Sequence, residues 1–121
     1  MDTQVRVLLV DDEEPLLTAL GAELREAGYQ VGTADDGDVA IALLQKEQFD
    51  IVLLDIRMPR VNGIDVLKFI KQNTPATKVV MLTGVADLKL AMDSKRYGAE
   101  DFVEKPYVLE NLLFKLRQLK K

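Results

Sequence analysis

Cysteine and histidine are both absent from this 121-residue sequence. Without cysteine there are no disulfides and no thiol chemistry. Without histidine neither the usual zinc sites nor imidazole acid–base catalysis can be built. Long apolar runs are missing as well, none approaching the roughly 20 residues that a membrane-spanning helix needs. The start, MDTQVRV, carries Asp2 where an export signal would place a basic stretch, so no export and a cytoplasmic location are expected. Nor is there a basic excess: 16 Lys and Arg stand against 20 Asp and Glu, a net charge of −4, which leaves no electrostatic footprint for nucleic acid. Repeats, low-complexity tracts and internal linkers are lacking too.

What is present fits one folded domain over residues 1–121, with 48% apolar and 30% charged residues. A chain of this length buries roughly two thirds of its unfolded surface, enough for a core of its own. Charge is unevenly spread. Residues 1–60 hold 13 acids and 5 bases, whereas residues 61–121 hold 7 acids and 11 bases. The basic half suits an acidic partner, or is simply a solvated surface.

VRVLLV, Val5 to Val10, is a continuous β-branched and leucine-rich run, the pattern of a strand buried on both faces. Helical spacing of Leu17, Leu20 and Leu24 follows over Glu14 to Ala27, with Pro15 in the first turn and Gly28 as the stop. A short strand is expected over Tyr29 to Thr33, then a helix over Asp38 to Gln45 with Val39, Ala42 and Leu43 on one side. Asp50 to Leu54 repeats the buried-strand pattern, RMPRVNG reads as a loop, and Ile64 to Gln72 as a helix through Leu67 and Ile70. Thr77 to Leu82 is a fourth strand and Leu88 to Tyr97 a helix closed by Gly98. Phe102 and Val103 lie in a fifth strand, and Leu109 to Leu119 forms a last helix with Leu109, Leu112, Leu113 and Leu116 as its stripe. Five strand–helix pairs with short connections predict an α/β fold: a doubly wound five-stranded parallel sheet with helices on both faces.

In such a sheet the strand ends share one edge. Asp11 and Asp12 close the first run, Asp55 the third, Thr83 follows VVML, and Lys105 follows DFVE. An acidic helix start explains Glu13 and Glu14, at fractions of a kcal/mol. It does not explain two aspartates ending one apolar strand opposite a third at Asp55. Carboxylates packed closely repel unless a cation intervenes, and magnesium accepts such oxygens while bridging to phosphate. Asp55 is thus the candidate nucleophile toward phosphorus, with Asp11 and Asp12 as metal ligands, one directly and the other directly or through water.

Lys105 is the matching cation, able to pair with Asp55 at rest and with a phosphoryl oxygen after transfer. Pro106 restricts Lys105 to extended geometry, and the isomer of their bond is left open by the sequence. Thr83 is a β-branched strand end or a hydroxyl donor to phosphate, with Gly84 leaving room beside it. Phe102 is core, or a ring that rotates when Thr83 moves inward.

Together these residues resemble the receiver domain of bacterial two-component response regulators, over essentially the whole chain. The matches are Asp11 and Asp12, Asp55, Thr83, the Lys105–Pro106 pair, and Met58, Pro59 and Gly63 in the loop after Asp55. The resemblance implies a (βα)5 flavodoxin-like receiver fold and a phosphorylation switch. Asp55 would accept phosphate from a sensor histidine kinase or phosphotransfer protein with Mg, whose ligands would include the backbone carbonyl of Arg57. Phe102 would be the switch aromatic, and the face of the fourth helix, fifth strand and fifth helix, about Asp87 to Lys120, would change shape. Self-phosphorylation from small donors and slow autodephosphorylation are implied, but no conventional turnover enzyme.

Arg57 and Val85 would flank the approach of attacking water, lengthening the phosphoryl lifetime. Regulators with winged-helix output dimerise through charges on that switch face. Asp101 and Arg117 match part of their pattern, but Arg96 stands where they carry an acid, so homodimerisation through residues 87–120 is left open. LTGVADLKLAMDSKRYGAEDFVEKP looks more like receivers of ATPase-type transcriptional activators. An aspartyl-phosphate hydrolase is disfavoured, since its second acid would fall at Arg57 and a cap module has no room. A degenerate, phosphorylation-independent interaction module would lack an acid, Thr83 or Lys105, and none is missing. The closing LKK fits a stand-alone regulator or a domain that continues into an output domain.

Overall fold

The computed structural model describes residues 4–120; Asp2 and the final Lys121, on which the export and chain-end readings lean, lie outside them. Five parallel strands form one sheet in the order β2-β1-β3-β4-β5. They are β1 (Arg6–Val10), β2 (Gln30–Ala34), β3 (Ile51–Asp55), β4 (Lys78–Thr83) and β5 (Asp101–Glu104). Between and after them come α1 (Glu14–Glu26), α2 (Gly37–Lys46), α3 (Gly63–Asn73), α4 (Leu88–Asp93) and α5 (Leu109–Lys120). This is the doubly wound α/β architecture that the sequence predicts.

Side chains alternate across the sheet. Val7, Leu9, Ile51, Leu53, Val80, Leu82 and Val103 join one core with Leu17, Leu20 and Leu24 of α1 and Leu112 and Leu116 of α5. Leu8, Val10, Val52, Leu54, Val79 and Met81 join the other, with Ala40 and Leu44 of α2, Val66, Leu67 and Ile70 of α3 and Ala91 of α4. Helices on both faces cover the central strands β1, β3 and β4, which is why their runs are largely apolar, whereas the edge strands β2 and β5 are partly exposed. Each leucine buried in this way contributes about 2 kcal/mol.

Helix starts follow local chemistry. Asp36 accepts the Val39 N–H at 2.9 Å and Asn62 the Asp65 N–H at 3.0 Å, while Pro15 occupies the first turn of α1. Gly28, just after the Ala27 cap of α1, takes φ 103°, a left-handed conformation that favours glycine.

Two local expectations are corrected. The buried face of α2 is Gly37, Ala40 and Leu44, with Val39 and Ala42 outward. Its run VAIALL is continuously apolar, so periodicity cannot mark a face. The expected helix Leu88–Tyr97 is a six-residue α4 between two 3-10 turns, Val85–Asp87 and Ser94–Tyr97. Of α4 only Ala91 is buried, and one anchoring residue gives a longer helix little to form on. The chain leaves β1 toward β2 on one side, while β3 lies on the other. The resulting crevice at the C-terminal ends of β1 and β3 is where such sheets place their ligands.

Candidate functional site

Asp11 follows β1, Asp55 ends β3, Thr83 ends β4 and Lys105 follows β5, so the parallel sheet brings all four to one edge. Asp11 is 0% exposed. Its backbone N–H donates to Ala34 at 3.1 Å, and its Oδ1 accepts the Glu13 N–H at 2.9 Å. The other oxygen, Oδ2, is buried without a hydrogen-bond partner. It lies 2.9 Å from Lys105 Nζ, its charge partner. One carboxylate oxygen each from Asp11, exposed Asp12 and Asp55 lie within 4.8 Å of one another. An all-oxygen set with an orphaned buried carboxylate oxygen fits a hard divalent cation.

Burial and then the neighbouring Asp11 push the Asp55 carboxyl up to about 6, against the pull of Lys105 and the Arg57 backbone N–H. Lys105 Nζ also lies 3.0 Å from Glu13 and 3.4 Å from Asp55. Burial works against its charge, yet Asp11, Glu13 and Asp55 outweigh that and hold its pKa above the ordinary value. Lys105–Pro106 is a cis peptide. Glu13 belongs to the site although sequence reasoning left it to the helix start. It makes no side-chain cap on α1 and instead accepts from a lysine 92 residues away. Its only sequence signal was its place beside the acidic pair.

Thr83 is buried, and its hydroxyl donates to the Gly84 carbonyl at 2.9 Å. A Cβ at Gly84 would meet nothing within 4 Å, so a side chain there would project into open space. Phe102 is half-buried against the α2–α3–α4 core, with the ammonium groups of Lys95 and Lys115 each 5.8 Å from its ring centre. Lys115 also pairs with Asp101 at 3.1 Å, engaging within the chain one of the charges expected in a dimer.

The loop after β3 is tightly seated. Met58 is buried and Pro59 exposed. Gly63 donates to Ile56 O at 2.8 Å, and a Cβ there would fall 2.1 Å from the Asp55 carbonyl oxygen. Only glycine lets α3 start this close to the end of β3. The Arg57 guanidinium reaches across the mouth of the crevice to Asp87, its Nε 3.1 and 3.2 Å from the two carboxylate oxygens. Hydrogen bonding to Arg57 holds the Asp87 carboxyl below its usual range. Sequence reasoning missed this pair, since nothing local joins two residues 30 positions apart.

The family model for the response regulator receiver domain matches residues 7–117. The chain belongs to the response regulator receiver family. This receiver is 35% identical over 115 residues to the probable transcriptional regulatory protein TcrX of Mycobacterium tuberculosis, covering 95% of this chain and 49% of that protein. It is 37% identical to the C4-dicarboxylate transport transcriptional regulatory protein DctD of Pseudomonas aeruginosa, over 97% of this chain and 25% of that one. The receiver thus spans half or less of these longer regulators. Among solved structures, a CheY-like receiver domain protein from Methanospirillum hungatei matches with TM-score 0.92 and 30% identity, covering 98% of this chain and 95% of that one. The chemotaxis protein CheY4 of Vibrio cholerae matches with TM-score 0.89 and 32% identity, covering 97% and 99%. Among the described residues, no helix of this receiver is long and apolar enough to cross a membrane.

Proposed function

We propose that this receiver is a phosphorylation switch whose acceptor is Asp55. The observation that carries the reading is a buried Asp55 beside a second buried aspartate, Asp11, with Lys105 3.4 Å away. An Asp55 carboxylate oxygen attacks phosphorus. The bond from phosphorus to the donor breaks, and the donor leaves with that electron pair. The donor is the phosphohistidine of a sensor histidine kinase or phosphotransfer protein, or a small acyl phosphate. The product is an acyl phosphate on Asp55. Asp11, Asp12, Asp55 and the Arg57 backbone carbonyl would hold magnesium, which when bound neutralises charge on the phosphoryl oxygens.

After transfer, Lys105 passes from Asp55 to a phosphoryl oxygen, a short movement for an ammonium already pinned on that side by Asp11 and Glu13. The Thr83 hydroxyl exchanges the Gly84 carbonyl for another phosphoryl oxygen, Phe102 turns toward the space Thr83 leaves, and the 87–120 face changes shape. That face then signals to an output domain C-terminal to this chain or to a separate cytoplasmic partner, with or without homodimerisation. The regulator names of the longer relatives support an output in transcription.

Intact mass after incubation with acetyl phosphate, with and without magnesium, tests the reading. One phosphoryl group is gained with magnesium and none in Asp55→Asn. No gain at saturating donor would make the chain a phosphorylation-independent module.

A further inference from the structure

Three acids surround the Lys105 ammonium, and they are not equivalent. Asp11 and Asp55 are buried and belong to the oxygen cluster that fits a divalent cation. Glu13 stands outside that cluster, with a side chain 61% exposed, and accepts a hydrogen bond from Nζ at 3.0 Å. Its backbone N–H donates to Asp11 Oδ1 at 2.9 Å, which fixes its main chain beside the cluster. The Lys105 backbone N–H donates to the Thr83 carbonyl at 2.7 Å. Both main chains are thus held, and the ammonium shifts only by turning its own side chain.

A cation on Asp11 and Asp55 takes the oxygens on which Lys105 now leans. Like charges repel, so the contacts at 2.9 Å to Asp11 and 3.4 Å to Asp55 weaken together. Asp11 and Asp55 stay where the strand ends place them, so the ammonium keeps its half-buried surroundings while losing two of its three acids. A charge left there without a partner is costly. Glu13 is the acid that remains. We infer that Glu13 is a positioning residue, which retains the Lys105 ammonium beside the site when a divalent cation occupies Asp11 and Asp55. Glu13 thereby favours the cation-bound state, since it keeps Lys105 paired there. The use of the held ammonium, to meet an arriving phosphoryl oxygen, rests on the phosphoacceptor reading.

A magnesium titration of the full chain without phosphodonor, followed by amide NMR, tests this. Glu13→Gln should weaken magnesium binding about tenfold, the low end of what a hydrogen bond between charged groups is worth. Glu14→Gln removes the same charge from the exposed next residue and should change it about twofold or less. In Lys105→Met no ammonium needs holding, so there Glu13→Gln should also act about twofold or less. At saturating magnesium the Lys105 ammonium signal should persist in wild type and be lost to exchange with water in Glu13→Gln. Unchanged affinity in Glu13→Gln overturns the inference. So does an equal loss with and without Lys105, which would make Glu13 a partner of the metal itself. A chain that binds no magnesium loses the inference outright. Intact mass after acetyl phosphate decides the phosphoacceptor reading separately: a chain that gains its phosphoryl group while Glu13→Gln leaves magnesium affinity unchanged keeps that reading and loses only the role of Glu13.

Discussion

The Lys105 ammonium lies 2.9 Å from the Asp11 carboxylate, nearer than the 3.4 Å that separates it from Asp55. At rest the lysine is therefore held chiefly by an expected metal ligand, with its link to the acceptor the looser one. Its removal leaves two buried carboxylates without a cation. Lys105→Met should destabilise the metal-free domain by about 2–3 kcal/mol at neutral pH, somewhat below the cost of breaking a fully buried pair because the lysine is partly exposed. Saturating magnesium should recover much of the loss. Urea unfolding with EDTA and with magnesium measures both, and an unchanged midpoint in EDTA would contradict the assigned charge balance.

The Asp55 carboxyl, raised from 3.8 to about 6, sets a pH dependence of definite sign. A folded-state pKa above the unfolded value means that this group favours the fold below about pH 4 and loses that contribution as pH rises through 6. Asp55→Asn carries no charge to bury. In EDTA it should exceed wild type in stability by about 2 kcal/mol at pH 8, with the difference closing toward pH 4. Magnesium should narrow the gap at pH 8 by favouring the ionised wild-type carboxylate. A gap that widens toward low pH would reverse the assignment.

Gly63 is required by contact, not by backbone angle. Its added Cβ would fall 2.1 Å from the Asp55 carbonyl oxygen and 2.8 Å from Ile56 Cα, both backbone atoms that cannot swing aside. Gly63→Ala should cost about 2 kcal/mol or more and reduce phosphoryl uptake by displacing Asp55. Gly84→Ala, whose Cβ meets nothing within 4 Å, is the matched control and should leave the melting temperature nearly unchanged.

If Asp55 is the acceptor, Val85, 72% exposed at the start of the 3-10 turn after Thr83, and Arg57 would flank the approach of water to its phosphoryl group. Val85→Ala should shorten the half-life of the phosphorylated protein severalfold, and Arg57→Ala should act in the same direction. Loss of phosphate followed by intact mass reads this directly. Unchanged lifetimes in both variants would remove these side chains from the hydrolysis step.

The sheet was legible because its three central strands are buried on both faces. A run such as VRVLLV or IVLLD has few alternatives, and the polar residue that ends it is conspicuous against it. Asp11, Asp55, Thr83 and Lys105 were found in that way. The buried face of α2 was not legible, since Val39 through Leu44 are all apolar and only the sheet beneath selects Ala40 and Leu44. The break in α4 was hidden for a related reason. Leu88, Leu90, Ala91 and Met92 suggest a longer helix, but a single buried residue holds it.

The sequence by itself determined the layered α/β plan, the single edge where strand ends meet and the chemical types gathered there, because strand burial and helix spacing are local patterns of apolar residues. Only the tertiary structure decided that Glu13 meets Lys105, that Arg57 pairs with Asp87, and that Gly63 must lack a side chain beside Asp55. Those are distances between residues far apart in the chain or backbones packed in contact. Electrostatic pairing and steric exclusion act through space, and no local pattern of residues encodes which partners the folded chain brings within reach.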